Sequence, residues 1–174
     1  MIATVRLQLR PFAPEDDLEA ALLPALREGV YSRHLTGRQG EKLVVGSSAE
    51  ALALVEACRS RGGAILAVVV GVGAEAGALA GHCGIFPGAS TADRSVAFGL
   101  LPDFRGRGYA EETCAALVDA AFAVPGVAAV SASADEDDWA TRRALEDAGF
   151  RLLEVTPGPD GYRAHYRLSW LDRR

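Results

Sequence analysis

The segment from Arg105 to Ala110 has the residue types and spacing best suited to binding chemistry. It reads Arg105-Gly106-Arg107-Gly108-Tyr109-Ala110 and lies between an apolar run and a stretch with helical spacing. The first N–H groups of a helix have no partner within the helix and lie at the positive end of its dipole. Glycines let the chain turn tightly and let an anion approach those N–H groups. With a charge-assisted hydrogen bond from Arg105 or Arg107, the segment predicts a phosphate-binding turn.

Two better-known phosphate-binding loops do not fit this segment. A P-loop ends in Gly-Lys followed by Ser or Thr, but the only lysine of the chain is Lys42. The dinucleotide fingerprint needs a third glycine, where this chain has Glu111, and a βαβ unit that begins the fold. Neither motif therefore explains the two glycines.

The pattern of apolar residues predicts the elements that position this turn. Strands are predicted over residues 4–10, 64–70, 79–86, 95–101 and 127–132, and helices over residues 15–28, 48–59, 108–122 and 138–148. Residues 149–155 and 162–170 predict a final hairpin around Pro157-Gly158-Pro159. The central strand, helix and strand form a right-handed βαβ unit among antiparallel strands. The sequence thus predicts an α/β fold: a mixed, mostly antiparallel sheet with helices on both faces.

Composition narrows the class of protein. The chain has 174 residues, of which 49% are hydrophobic and 24% charged, so one soluble globular domain over residues 1–174 is expected. Its formal net charge of -5 argues against a nucleic-acid binder. No apolar run is long enough to span a membrane, and the N-terminus lacks a signal peptide's pattern, so a cytoplasmic location is expected.

Three cysteines, Cys58, Cys83 and Cys114, are too few and too scattered to predict a metal site or a disulfide framework. Each lies in an apolar neighbourhood, which predicts a small buried side chain. Neither Cys83 nor Cys114 has a visible base, so an acyl-enzyme is not expected. No metal ion is implied.

Three segments of the chain resemble the GNAT superfamily of N-acyltransferases. Arg105-x-x-Gly108-x-Ala110 is similar to the family's pyrophosphate-binding motif, Gln/Arg-x-x-Gly-x-Gly/Ala. The sequence of residues 102–112, together with those of residues 6–12 and 141–150, resembles the branch that acetylates the N-terminal amines of ribosomal proteins. The resemblance runs from about residue 4 to residue 170.

This resemblance implies how acetyl-coenzyme A (acetyl-CoA) would bind. In the family, the strand matching residues 95–101 splays from its parallel neighbour, here residues 127–133, and pantetheine lies in the gap. Backbone groups of Leu100 and Leu101 would then bind pantetheine. A backbone N–H at Gly99 or Leu100 would polarise the thioester carbonyl. The pyrophosphate would be held by Arg105, Gly106, Arg107, Gly108, Tyr109 and Ala110.

The resemblance also implies candidate catalytic residues, with departures from the family pattern. Asp138 and Thr141 match an Asn-x-x-Ser pair of the family. Thr141 could protonate the leaving sulfur or be a surface threonine, and Asp138 could accept from a pantetheine amide, cap its helix or act as a base. Ser95 stands where many relatives have a glutamate, and Leu145 where another branch has a tyrosine proton donor.

Several polar residues are expected near the acceptor. The acidic run of residues 135–138 lies at the expected mouth of the site and could attract a cationic amine or simply be solvated. Tyr31 and His34 would border the acceptor pocket. His82 is expected to face neighbours within its own sheet.

The function that these features predict is direct acetyl transfer from acetyl-CoA to a primary amine in a ternary complex. The acceptor is either a protein N-terminus or a small molecule such as an amino acid, polyamine or aminoglycoside. A coenzyme A-binding module without turnover is the alternative, because the asparagine and glutamate of the family are missing. A purely structural α/β domain is a third reading. A homodimer is a reasonable expectation.

Overall fold

One eight-stranded sheet organises the fold. The computed structural model describes residues 1–36, 42–158 and 161–173. The strands are β1 (Ile2–Ala3), β2 (Leu7–Arg10), β3 (Ala64–Val70), β4 (Leu79–Pro87), β5 (Asp93–Leu100), β6 (Ala129–Asp135), β7 (Arg151–Gly158) and β8 (Gly161–Ser169). They lie in the order β1-β2-β3-β4-β5-β6-β8-β7, and β5 and β6 form the one parallel pair of this sheet. The predicted mixed, mostly antiparallel sheet is confirmed.

Helices cover both faces of the sheet, as predicted. They are α1 (Leu18–Ala21), α2 (Leu23–Arg27), α3 (Ser32–Thr36), α4 (Ser48–Ser60), α5 (Tyr109–Phe122) and α6 (Trp139–Asp147). On one face, apolar residues of α1 to α4 pack with Ile65 and Phe86. On the other, α5 and α6 pack with Val68, Val96 and Val130. Burial of these two apolar faces stabilises the sheet between its helices.

The parallel pair opens along its length. β5 and β6 are in register only where residues 93–95 meet residues 129–131. Beyond that point β5 stays paired with β4 as far as Leu100, and β6 stays paired with β8 as far as Asp135. Each strand therefore continues without the other, and the gap between them is the splay that the resemblance implied.

Two elements near the N-terminus are shorter than predicted. Of the predicted strand over residues 4–10, only β2 is a strand; the Thr4 N–H donates to the Leu7 carbonyl at 2.9 Å and closes a turn that leads back to β1. The predicted helix over residues 15–28 is divided into α1 and α2. Asp17 caps the first, and Pro24 lies in the first turn of the second. Because proline has no N–H to donate, it suits a helix start better than a helix interior.

The polar stretch of residues 29–46, for which no element was predicted, contains α3. A five-residue helix is too short to show a helical period. Residues 37–41 of this stretch lie outside the described ranges. β7 and β8 confirm the final hairpin, although Pro159 of its predicted turn also lies outside them.

Candidate active site

The turn of residues 105–110 presents unpaired main-chain donors. Gly106 and Gly108 have φ values of 71° and 76°, a region that favours glycine, and α5 begins directly afterwards at Tyr109. Gly108 is the N-cap and supplies no side chain to that helix end. Within the described ranges, the N–H groups of residues 106–111 form no hydrogen bonds. This end of α5 therefore has the free donors that an anion site needs, and anion binding there stays a prediction.

Arg6 supports this turn from the edge of the sheet. Its guanidinium donates to the carbonyl oxygens of Arg107 (2.8 Å) and Gly108 (3.1 Å) and pairs with Glu112 of α5 (2.7 Å). The guanidinium carbon also lies 4.8 Å from the centre of the Tyr109 ring. Sequence reasoning used residues 6–12 only as a landmark of resemblance and missed this supporting role.

A cleft of about 760 Å³ lies beside the turn and is called the turn-side cleft here. Of the predicted binding and catalytic residues it is lined by Leu100, Leu101, Arg105, Gly106, Gly108, Ala110, Asp138 and Thr141. Two predicted side chains point elsewhere: Arg107 pairs with Glu75 at 2.5 Å, and Tyr109 is buried in the core. Arg107 and Tyr109 can therefore contribute to this cleft through their N–H groups alone.

The edge of β5 presents only alternate residues to the gap. The Leu101 N–H donates to the carbonyl of Ala80 at 2.9 Å, so Leu101 faces β4. Because hydrogen-bonded pairs alternate in an antiparallel ladder, Gly99 also faces β4, whereas Phe98 and Leu100 direct their main-chain groups into the gap. The Leu100 carbonyl accepts from Arg105 Nε at 3.0 Å. Of the two predicted oxyanion donors, Leu100 is therefore placed to act and Gly99 is not.

Asp138 caps α6. Its carboxylate accepts a hydrogen bond of 3.1 Å from the Thr141 N–H, which is one of the three roles considered for it. The Thr141 side chain lines the turn-side cleft, and within the described residues its hydroxyl has no hydrogen-bond partner. The geometry thus leaves the Thr141 hydroxyl available at the cleft wall, and its role in proton transfer remains a prediction.

His82 also lines the turn-side cleft, although it was expected to face neighbours within the sheet. Its ring lies over Gly99, the residue opposite it on β5; a Cβ at Gly99 would come within 2.5 Å of His82 Nε2. The glycine therefore allows the imidazole to reach the cleft. The sequence contains both the histidine and the glycine, but only the strand register shows that they lie opposite each other.

The hydrogen bond between Tyr31 and His82 determines which ring nitrogen carries the proton. The Tyr31 hydroxyl lies 2.5 Å from His82 Nδ1 and has no other partner in the described part of the chain. Tyr31 is fully buried, and donation of its hydroxyl hydrogen to Nδ1 is the arrangement that leaves this buried donor satisfied. Burial lowers the pKa of His82 to about 4, which keeps the ring neutral near pH 7. His82 thus presents Nε2–H, a neutral donor, at the cleft.

A second cavity of about 520 Å³ lies at the other end of the gap and is called the arginine-lined cavity here. Its polar side chains are Arg33, Arg61, Arg163, Arg167, His34, His165, Asp93, Glu154, Ser32, Ser95, Ser131 and Ser133. His34 stacks on Phe86 with ring centres 3.9 Å apart, and burial followed by the charge of Arg33 lowers the pKa of His34 to about 4. His34 therefore borders this cavity as predicted, whereas Tyr31 is buried beneath it.

A narrow passage connects the two spaces between β5 and β6. Its volume is about 50 Å³. Val30, Phe98 and Thr141 line both the passage and the turn-side cleft. His34, Ser95, Ala132, Ser133 and Arg163 line both the passage and the arginine-lined cavity. Two separate binding spaces thus meet where the strands part.

A sequence model described as the acetyltransferase (GNAT) domain matches residues 6–151. The chain belongs to the GNAT acetyltransferases. A comparison with curated proteins finds no significant match. The match covers the turn, the splayed pair, α5 and α6, whereas β8 and most of β7, which line part of the arginine-lined cavity, lie beyond it.

Solved acetyltransferases share the fold of this GNAT chain. A GNAT-family acetyltransferase from Bacillus anthracis is 17% identical, with a TM-score of 0.69 and 97% of each chain covered. An acetyltransferase from Agrobacterium tumefaciens is 23% identical, with a TM-score of 0.61 and coverage of 96% of this chain and 92% of that one. The aminoglycoside acetyltransferase AAC(6')-Ib in complex with coenzyme A is 17% identical, with a TM-score of 0.66 and coverage of 95% and 96%.

The thiols of this GNAT domain are poorly suited to carry an acyl group. Cys58, Cys83 and Cys114 are unpaired and buried, and burial raises the pKa of each thiol. Because the thiolate is the reactive form, these cysteines stay unreactive near pH 7. In the described ranges, no group of three His, Cys, Asp or Glu residues could hold a metal ion, and no helix is long and apolar enough to cross a membrane.

Proposed function

We propose that this GNAT domain transfers the acetyl group of acetyl-CoA to a primary amine by direct attack in a ternary complex. The observation that carries the proposal is the connection of two spaces through the splayed strands. The turn-side cleft has the phosphate-binding turn, and the arginine-lined cavity leaves room for an acceptor. The two meet only at the passage beside Thr141, so a donor and an acceptor bound at once would approach each other there.

The residues of the turn-side cleft fit coenzyme A. Unpaired N–H groups of residues 106–111 and the side chains of Arg105 and Arg143 suit a pyrophosphate. The unpaired edge of β5 at Phe98 and Leu100 suits the amides of pantetheine. Structures of AAC(6')-Ib have been solved with coenzyme A and with acetyl-CoA, and their fold is similar to this one. Bound acetyl-CoA would supply an activated acetyl group in the form of a thioester.

Residues of the turn-side cleft would supply hydrogen bonds, and Thr141 at the passage would supply a proton. The Leu100 N–H and the His82 Nε2–H, both on the lining of the turn-side cleft, would donate to the thioester carbonyl oxygen, on which negative charge grows during attack. Such preorganised donors stabilise the transition state by about 3 kcal/mol each. The Thr141 hydroxyl would donate a proton to the departing sulfur.

The acceptor needs an unprotonated nitrogen. An α-amine has a reference pKa near 8, so a useful fraction is neutral at pH 7 without a strong base, whereas a lysine amine near 10.4 needs one. The absence of a glutamate at Ser95 is consistent with an acceptor of the first kind. The resemblance to the ribosomal-protein branch also favours a protein N-terminus, although a small α-amine meets the same requirement.

Calorimetric titration with acetyl-CoA, on protein stripped of bound ligand, tests the first half of the proposal. We expect saturable binding and stabilisation by roughly 2.7 kcal/mol at a ligand concentration 100 times Kd. A panel of peptides and small amines then tests transfer, with acetylated product measured by mass spectrometry. Binding without transfer to any amine would support a non-catalytic coenzyme A-binding module, and the absence of binding would leave a structural domain.

Thr141→Val is a sharp variant for the transfer step. It keeps the shape of the side chain and removes the hydroxyl, so we expect kcat to fall by about tenfold to a hundredfold. The Kd for coenzyme A should stay within about twofold, since the Asp138 cap uses the Thr141 backbone. An unchanged kcat would remove Thr141 from the mechanism.

A further inference from the structure

The arginine-lined cavity is cationic although the chain as a whole is acidic. The chain has a formal net charge of -5. Four guanidinium groups nevertheless line this cavity, against two carboxylates. The acidic run of residues 135–138 lies outside the lining of this cavity, and among the described residues only its Asp135 pairs with one of the four arginines, Arg163. The acidic residues expected to attract a cationic amine therefore line the turn-side cleft and a neighbouring cavity, not the arginine-lined cavity.

The arginines converge on one region although they lie far apart in the chain. Arg33 belongs to α3 and Arg163 to β8. The charge of Arg33 acts on both His34 and His165, and the charge of Arg163 acts on His165 as well. Arg33 and Arg163 line the same cavity and both act on His165, so one ligand in that cavity can contact both.

Few of these positive charges are neutralised inside the cavity. Arg167 pairs with Asp93 at 2.7 Å, which leaves Glu154 as the second carboxylate of the lining. Arg163 pairs at 3.0 Å with Asp135, whose side chain is 65% exposed on the coenzyme side. No ion pair of Arg33 is found among the described residues. Burial lowers the pKa of His34 and His165, which favours the neutral form of both rings, and a neutral ring adds no positive charge that a carboxylate would have to balance.

We propose that the acceptor amine carries an oxyanionic group, a carboxylate or a phosphate, which Arg33 and Arg163 bind in the arginine-lined cavity. This inference rests on the proposed transfer reaction and adds the chemical class of its acceptor. Guanidinium groups bind carboxylate and phosphate through paired hydrogen bonds. A cavity of about 520 Å³ is large enough for a ligand the size of a dipeptide.

The same charges act on the reacting nitrogen. An ammonium group is disfavoured near guanidinium groups, which lowers the pKa of the amine and raises its neutral fraction. The anionic group holds the acceptor, and the arginines favour the nucleophilic form of its nitrogen. A polyamine or an aminoglycoside, by contrast, would bring further positive charge into a cationic cavity and be repelled.

Four dipeptide amides with the same N-terminal alanine test this inference: Ala-Asp, Ala-phosphoserine, Ala-Asn and Ala-Lys. Their amines are alike, and their second residues differ in charge. We expect kcat/KM for Ala-Asp or Ala-phosphoserine to exceed that for Ala-Asn by at least about tenfold, with Ala-Lys poorest. The preference should shrink as salt rises, because salt screens such interactions. The ranking of the two anionic peptides distinguishes a carboxylate site from a phosphate site.

Equilibrium binding provides a readout that does not depend on turnover. The Kd of each peptide is measured by calorimetry with the protein free of coenzyme A. The charge preference should appear there too. Arg33→Gln and Arg163→Gln should each reduce the Ala-Asp to Ala-Asn ratio to about threefold or less. Arg151→Gln is the control: Arg151 lies on β7, pairs with Asp172 at 2.9 Å and does not line the cavity, so the ratio should stay unchanged.

Arg163→Gln also breaks the ion pair with Asp135, whereas Arg33→Gln breaks no ion pair of the described residues. The melting temperatures of both variants are compared to detect any loss of stability. Ala-Lys binding or reacting as well as Ala-Asp would overturn the inference while leaving acetyl transfer intact. Failure of all four peptides to bind would overturn it as well. Preferential binding of Ala-Asp that needs Arg33, without acetylation of any peptide, would instead support the anion site and contradict the proposed transfer.

Discussion

The turn-side cleft and the arginine-lined cavity lie at the two ends of one gap but are built in different ways. The donors of the cleft are mostly main-chain N–H groups of one continuous segment, residues 98–111, although residues of α1, α2, β4, β6 and α6 also line it. The cavity is formed by side chains from α3, α4, β5, β6 and the β7–β8 hairpin. Main-chain N–H groups suit a donor substrate that a whole family shares. Side chains from many elements suit an acceptor substrate that differs from one protein of the family to another.

His82 adds a side-chain donor to the cleft beside the Leu100 N–H, the main-chain group proposed to bind the same carbonyl oxygen. Removing it therefore gives the largest expected effect. We expect His82→Leu, made together with Tyr31→Phe so that no buried hydroxyl loses its partner, to lower kcat by about a hundredfold or more. The Kd for coenzyme A should change by no more than about twofold, which calorimetry would check.

Tyr31→Phe alone is the matched control for His82. It keeps the imidazole but removes the hydroxyl that fixes its tautomer, so we expect a smaller loss of about tenfold in kcat. Two-bond nitrogen–proton NMR spectra should show the proton on Nε2 in the native protein and a mixture of tautomers in the variant. If kcat of the double variant stayed within about threefold of the native value, the His82 side chain would have no role in stabilising the transition state.

A pair of glycines sharpens the main-chain half of the comparison. Gly106 and Gly126 have φ values of 71° and 83°, and a Cβ at either would meet nothing within 4 Å. Alanine at each should therefore cost about the same in backbone strain, roughly 1–2 kcal/mol. Only Gly106 lines the turn-side cleft, so Gly106→Ala should weaken coenzyme A binding by about tenfold or more, and Gly126→Ala should not.

Calorimetric Kd values and melting temperatures for the two glycine variants separate the effects. Equal loss of stability with unequal loss of affinity is the expected result. Equal affinities would mean that the phosphate lies elsewhere and that the turn of residues 105–110 is only a connection between a strand and a helix.

Much of the fold was predictable because its strands and long helices have clear periods. The run of residues 64–70 and the helix over residues 108–122 were predicted almost to the residue. Short elements were not. α3 has five residues, and the division between α1 and α2 depends on the position of Pro24, which weakens a helical pattern without erasing it.

The parts of the site that were predicted from the sequence are those whose residues lie close together in the chain. Arg105 to Ala110 are consecutive, so their spacing alone indicated a turn with free N–H groups. His82 and Gly99 lie opposite each other only through the register of a hairpin, and Arg33 and Arg163 line one cavity only because the fold brings α3 and β8 to it. No spacing rule relates residues that are 130 positions apart (Arg33 and Arg163). The acceptor end therefore required the structure.

The smallest expected effect is on the free energy of unfolding at mildly acidic pH. Its pH dependence allows the histidine of the cleft to be compared with those of the cavity. The pKa of His82 in the cleft and that of His34 in the cavity are lowered to about 4, and the pKa of His165 is also lowered, in each case mainly by burial. The unfolded chain, with histidine pKa values near 6.5, then binds more protons between about pH 6.5 and 4. Stability is complete above this window and is lost as the pH falls through it.

We expect the free energy of unfolding to fall by roughly 1–2 kcal/mol for His82 between pH 7 and pH 5, measured by urea denaturation. Working above pH 5 avoids the carboxylates of Asp16, Asp93 and Glu112, whose pKa values are lowered by their partners and which respond only at lower pH. The Tyr31→Phe/His82→Leu variant should show a flatter slope than His165→Gln, because His82 is the more deeply buried ring. Equal slopes would mean that His82 is solvated, in which case its Nε2–H could not act as the dry, oriented donor that the cleft requires.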